Sequence, residues 1–134
     1  MSDLSDNAVV WQPRVLSVLR IMAGLLFMQH GMSKLFDFPH GDIHPTWATA
    51  PLIYIASILE TFGGALLVLG LFTRPVAFLL SGEMAIAYFK AHFPHSFFPL
   101  QNKGGEAVLY CFIFLYLFVA GGGAWALDRL RGGR

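Results

Sequence analysis

The sequence predicts an all-α membrane protein folded as an antiparallel four-helix transmembrane bundle. Three observations predict it. Hydrophobic residues make up 56% of the 134 residues and charged residues only 13%, against about 25% charged in a soluble domain. That leaves too little charge to coat a globule of this size. Four stretches qualify as membrane spans, each of about 20 mostly apolar residues. The connections between them are short, which favours up-down neighbours. The length sets one domain spanning residues 1–134. The same numbers exclude intrinsic disorder. A formal net charge of +1 excludes nucleic-acid binding through a basic face.

The elements follow in order. Residues 1–13 carry Asp3 and Asp6 but no Lys or Arg. That is the wrong start for a cleaved signal peptide, so the chain reads as mature. The expected spans are residues 15–36, 51–72, 75–93 and 107–127. Pro51 and Pro75 suit the first turn of a helix, where the missing N–H has no intrahelical partner to lose. A polar loop with Pro39 and Pro45 follows the first span, and a tight Thr73–Arg74 turn follows the second. A loop with Pro94, Pro99 and Gly104–Gly105 precedes the fourth. Its stretch from Phe93 to Leu100 is too apolar for a free loop and is expected to lie as a flap in the outer interface. Small residues recur every seven positions, at Gly24 and Gly31, and at Ala56, Gly63 and Gly70 with Gly64 beside them. Such stripes let helix backbones approach closely in lipid. Gly121–Gly123 loosens the end of the fourth span.

Orientation follows from Lys and Arg. One side of the expected topology holds Arg14, Arg74, Arg129, Arg131 and Arg134; the loops of the other hold Lys103. The first side is therefore read as cytoplasmic, with both termini inside. Trp11, Trp47 and Trp125 fall at expected interfaces, where tryptophan anchors a span.

The charges are placed oddly for a passive bundle. All three glutamates, Glu60, Glu83 and Glu106, fall in or at the edge of spans. Arg20 falls in the inner half of the first span, and Lys34 and Lys90 near outer ends. A charge at mid-span costs about 2.5–3.5 kcal/mol on insertion scales. Such groups are expected to face inward and pair, Arg20, Lys34 and Lys90 against Glu60, Glu83 and Glu106. At about 100° per residue, Arg20, Phe27, Gly31 and Lys34 share a face of the first helix, and Glu83 and Lys90 a face of the third. Either the pairs fix helix register or they line a functional polar cavity.

His30, His40, His44, His92 and His95 all fall in the outer half or outer loops. His40-x3-His44 and His92-x2-His95 have ligand-like spacing, but each pair lies in or beside a proline-containing loop, and no metal site is expected. A haem between His30 and His92 is disfavoured, because both lie near the outer edge and no further axial candidate exists. His30 reads as a hydrogen-bonded group in a polar pocket. Cys111 stands alone, so thiol–disulfide exchange within the chain is excluded; it reads as a small apolar filler.

The run Arg20-x3-Gly24-x5-His30-Gly31-x2-Lys34-Leu35 resembles the first helix of the DoxX family of small four-helix membrane proteins. Glu60-x2-Gly63-Gly64 and Gly70-Leu71-Phe72-Thr73-Arg74 resemble its second helix and turn. Met84-x2-Ala87, His92 and Gly104-Gly105-Glu106 continue the pattern. The resemblance runs from about Arg14 to Asp128. Glu83 matches a subset of the family, and Lys90 and His95 match no part of its pattern. The resemblance implies a bacterial inner-membrane protein, an oxidoreductase subunit or part of a membrane redox complex that is linked to quinone in some relatives. The expected site comprises Arg20, His30, Lys34, Glu60, Glu83 and Glu106, with Lys90 and His92 less central. Quinone is the cofactor weighed. The partners are the lipid bilayer, a protein that supplies electrons, and a second copy of the chain. A transporter or binding module for a small anion or protons is the alternative, and a structural assembly subunit the third reading.

Overall fold

The structure, a computed structural model, describes residues 2–132. The described residues are helical or irregular, with no strand among them. The longer helices are α1 (Ser2–Phe36), α2 (Pro51–Leu69), α3 (Thr73–Ala87) and α5 (Gly105–Ala120); α4 (Pro99–Asn102) is a single turn in the loop before α5. Two helices, α1 and α2, are long and apolar enough to cross a membrane, and α5 is a shorter apolar helix.

Two helix pairs make the core. Gly24 of α1 lies against Gly64 and Val68 of α2, and Gly31 against Ser57 and Thr61. Rising numbers on α1 meet falling numbers on α2, so the two run antiparallel. In the second pair, Phe78 of α3 meets Phe118 of α5 at 5.0 Å between ring centroids. Ser81 Oγ, further along α3, donates to the Cys111 carbonyl at 2.8 Å, so this pair is antiparallel too. Phe27, Leu67, Ala77, Leu80, Phe114 and Leu117 fill the space between the pairs. Phe27 packs edge-on against Phe114 at 4.9 Å. The small residues at Gly24, Gly31 and Gly64 thus stand where two backbones touch. A Cβ on Gly64 would come within 2.9 Å of the Gly24 carbonyl oxygen.

Several element ends differ from the sequence expectation. α1 starts at Ser2 and carries Pro13 inside it. α2 stops at Leu69 rather than residue 72. Gly70 takes a left-handed conformation, φ +73°, and its N–H bonds back to Leu66 and Leu67, closing the helix. α3 stops at Ala87, and the chain goes on as a π turn, Tyr88–His92, and a 3-10 turn, Phe93–His95. α5 ends at Ala120 rather than residue 127. Gly121, at φ +81° and ψ −165°, adopts a backbone shape that side-chain-bearing residues avoid. Residues 121–132 then double back across one end of the bundle, where Ala124 N–H donates to Pro13 O and Asp128 N–H to Gly70 O, both at 2.9 Å. The expected flap, Phe93 to Leu100, exposes Phe97, Phe98 and Leu100. It is tied down by Asn102, whose Nδ2 donates to Ser96 O at 2.9 Å and to Tyr88 Oη at 3.1 Å. Trp11, Trp47 and Trp125 are exposed. Arg134, used above for orientation, lies outside the described residues.

Candidate functional site

The expected charged stripe divides into two separate networks. Arg20 is fully buried but does not meet a glutamate. Its Nε donates to Leu67 O at 2.8 Å, one Nη to Gly122 O and the other to Trp125 O at 3.0 Å. The expected pairing of Arg20 with Glu60 or Glu83 is therefore corrected. α1 and α2 run antiparallel, so Arg20 stands opposite Leu67, about 10 Å along α2 from Glu60. The guanidinium fork is spent on the folded-back C-terminal segment. Ser17 Oγ joins it, donating to Gly122 O at 3.0 Å and accepting from Trp125 N–H at 2.9 Å.

At the same end, Asp128 accepts from the N–H groups of Phe72 and Thr73 at 2.7 and 3.0 Å. Burial alone would raise its pKa. The Thr73 and Phe72 hydrogen bonds and the nearby Arg131 outweigh that and hold it below the usual carboxylate range. Arg131 reaches Asp128 at 3.3 Å and lies over the Phe72 ring at 4.1 Å. Sequence reasoning missed this lock, because backbone carbonyls leave no pattern in a sequence. The Gly121–Gly123 cluster was its one visible trace.

The second network lies toward the other end of α1. Lys34 donates to both oxygens of Glu60, at 3.2 and 3.4 Å. The Glu60 side chain is only 6% exposed and that of Lys34 24%. Glu83, on α3, lies within electrostatic reach of both. Its two carboxylate oxygens are buried without a hydrogen-bond partner among the described residues. His30 stands one turn before Lys34 on α1, and its Nε2 lies 3.9 Å from an oxygen of the exposed Glu106. Tyr110 of α5 stands edge-on to the His30 ring. His30 and Lys34 also line an open cavity of about 360 Å³, with Gln29, Ser33, Pro39, Gly41, Asp42 and Ile43.

Five expected site residues thus come together: His30, Lys34, Glu60, Glu83 and Glu106. Three do not. Arg20 belongs to the C-terminal lock. Lys90 is exposed, so its expected pairing is corrected as well. It lies in the π turn Tyr88–His92 that follows α3 and makes no ion pair among the described residues. His92 shares a hydrogen bond with Asn102 O at 3.0 Å and stacks on Tyr88, a packing role in the flap. His40 and His44 both lean on Asp37, at 3.0 and 3.5 Å. The Gly41 N–H and then His40 hold the Asp37 carboxyl below its ordinary pKa.

The comparisons with known proteins bear on the same region. The DoxX family model matches residues 15–93, which carry the second part of α1, all of α2 and α3, and four of the five clustered residues. The chain belongs to the DoxX family. An uncharacterized protein of Haemophilus influenzae is similar over nearly all of the chain, 42% identical across 128 residues, covering 92% of this chain and 96% of its own length. No solved structure matches the chain. This DoxX protein is accordingly a membrane protein. The geometry of its polar cluster is the guide to what it does there.

Proposed function

We propose that this DoxX protein is the membrane subunit of a quinone-linked redox assembly. In this reading α1, α2, α3 with its following turns, and α5 cross the bacterial inner membrane as an antiparallel four-helix bundle, both termini cytoplasmic. One observation carries the proposal. His30 and Lys34 line the cavity of about 360 Å³, and Lys34 also holds the buried Glu60, beside which stands Glu83.

The residues fit a quinone. Its ring carries two carbonyl oxygens, which need donors when taken out of water. His30, Lys34 and the Ser33 hydroxyl supply donors on one wall of the cavity, and Ile43 and Pro39 supply apolar surface. When bound, a quinone supplies the two-electron chemistry and takes up two protons with the electrons. The chain's own residues hold and move those protons, His30 at the cavity wall and Glu60 and Glu83 behind it. The electrons come from a protein partner, since the sequence carries no cofactor-binding motif of its own. Cys111 has no second thiol to work with.

The test is the near-ultraviolet spectrum of the protein purified in mild detergent. Bound quinone absorbs there and bleaches on reduction. The expected result is a bleachable band in wild type that is lost in His30→Ala at unchanged melting temperature. A quinone-free spectrum after reconstitution with quinone overturns the proposal, and a His30→Ala protein that binds like wild type removes His30 from the site.

A second reading, a module that moves protons across the membrane, draws support from one specific feature: the buried cluster holds two carboxylates against one ammonium. Proton flux into proteoliposomes without added quinone would favour it.

A further inference from the structure

Glu83 is the anomaly of this molecule. Its carboxylate oxygens are buried, and no donor among the described residues reaches them. Buried polar atoms in folded proteins are nearly always paired. The groups facing it come from every neighbouring helix. α2 contributes Glu60, and α1 contributes Lys34, whose ammonium is already engaged with both Glu60 oxygens. On α3 itself, Ser81 is turned to Cys111. One turn before Lys34 on α1 stands His30, with Glu106 and Tyr110 of α5 beside it. Two carboxylates therefore confront one cation away from water. Fully ionised, the cluster would hold an uncompensated negative charge and leave two acceptor oxygens empty. One added proton removes both faults: the Glu83 carboxyl becomes a donor, and the Glu60 carboxylate beside it an acceptor.

Exposure rises from the same cluster toward the start of α5. Side-chain exposure rises from 6% at Glu60 to 42% at His30 and 78% at Glu106. The His30 imidazole has two ring nitrogens, so it can take a proton on one and give one from the other.

We infer that Glu60 and Glu83 share one proton at neutral pH, and that it exchanges with water at the outer end of the bundle through His30 and Glu106. The proton leaves a carboxyl oxygen of the pair, passes to the His30 imidazole and then to the Glu106 carboxylate, and is released to water. No electron moves. The inference rests on reading the cluster as the functional site and not on quinone.

The sequence offers a clean readout. Glu60, Glu83 and Glu106 are the only glutamates in the chain. Carboxyl-labelled ¹³C-glutamate therefore marks the pair and its exit and nothing else. Infrared spectra of labelled protein in lipid nanodiscs at neutral pH are expected to show an isotope-shifted carbonyl band of a protonated carboxylic acid. Glu83→Gln should abolish that band. Deuterium exchange of the band is expected to slow at least tenfold in the His30→Ala/Glu106→Gln double variant, and to be unchanged in Asp6→Asn at the exposed start of α1. Absence of the band in wild type overturns the shared proton, and that measurement needs no variant to fold. Persistence of the band in a folded Glu83→Gln protein overturns its placement on the pair. Unaltered exchange in the folded double variant overturns the route. The near-ultraviolet spectrum of the same sample reports quinone separately, so the band without quinone would overturn the redox reading and leave this inference standing.

Discussion

Arg20 and Glu60 are both buried charges, and they are satisfied in opposite ways. Arg20 gives its guanidinium hydrogens to three backbone carbonyls; Glu60 takes a single ammonium. Each hydrogen bond from a charged donor contributes about 1.5–3 kcal/mol. Arg20→Ala should therefore cost on the order of 3 kcal/mol or more and free the C-terminal segment. The check is melting temperature in detergent with limited proteolysis around Gly121–Gly123. Arg20→Lys should rescue it only in part, because a point charge lacks the planar fork that reaches several acceptors at once. A lysine variant that melts with wild type would show that charge alone suffices. For Glu60 the effect runs through its partner. Glu60→Ala leaves Lys34 half-buried and unpaired, with a cost of about 3–5 kcal/mol when a buried pair is broken. Asp42→Ala, at an exposed loop position, should change stability by less than about 0.5 kcal/mol. Equal melting temperatures for these two variants would remove the buried pair from the account of stability.

The α1–α2 contact depends on missing side chains. A Cβ on Gly31 would meet Thr61 Oγ1 and come within 2.6 Å of Ser57 O. Backbone is among the atoms it meets, so rotamer changes do not make room. Gly31→Val should push the two helices apart, cost at least the 1–3 kcal/mol of an overpacked core, and loosen the Lys34–Glu60 pair one turn away. Gly82, with open space at its Cβ position, is the matched control: Gly82→Ala should leave the melting temperature equal or slightly raised, because alanine favours the helix. The start of α3 carries a pH dependence. The folded pKa of Asp128 lies below its ordinary value, so the stability it contributes is fully present above the unfolded value of about 3.9. That stability is lost as pH falls through the lower folded value. Asp128→Ala should cost about 1–2 kcal/mol at pH 7, as for loss of a helix cap. The gap between the two melting temperatures should close as the pH is taken below 4. A gap that holds constant into acid would mean that the carboxylate charge is not what caps α3.

Across the whole molecule, the arginines and the polar cluster sit at opposite ends of the α1–α2 contact. Arg14, Arg74, Arg129 and Arg131 gather where the C-terminal segment folds back, while His30, Lys34 and Glu106 lie at the far end. The excess of arginine at one end predicts that this end faces the cytoplasm. Reporter fusions after Arg134 and within the loop around His44 should therefore report opposite sides, with the C-terminal fusion inside. A periplasmic C-terminus would overturn the orientation and, with it, the side on which the cluster opens to water. Much of this plan is legible in the sequence. Hydropathy marks the apolar helices, and the glycine spacing marks the α1–α2 seam. The face shared by Arg20, Phe27, Gly31 and Lys34 is indeed the face turned inward.

Composition and periodicity by themselves determined that the chain is helical and membrane-bound, and which side of α1 is buried. These follow from local properties, since the cost of placing a residue in lipid depends on the residue and its helix. They also marked the glutamates as unusual. The structure alone decided which charge meets which. Arg20 and Lys34 lie on one face, yet they serve different networks, because pairing depends on the level at which antiparallel helices cross. Lys90 stands exposed in a π turn that no residue type announces. Residues 121–132 read as the end of a span and as a tail, yet they close the bundle, because the acceptors that hold Arg20 are backbone carbonyls, which every residue carries alike. Sequence names side chains, and only the fold says which carbonyls are left for them.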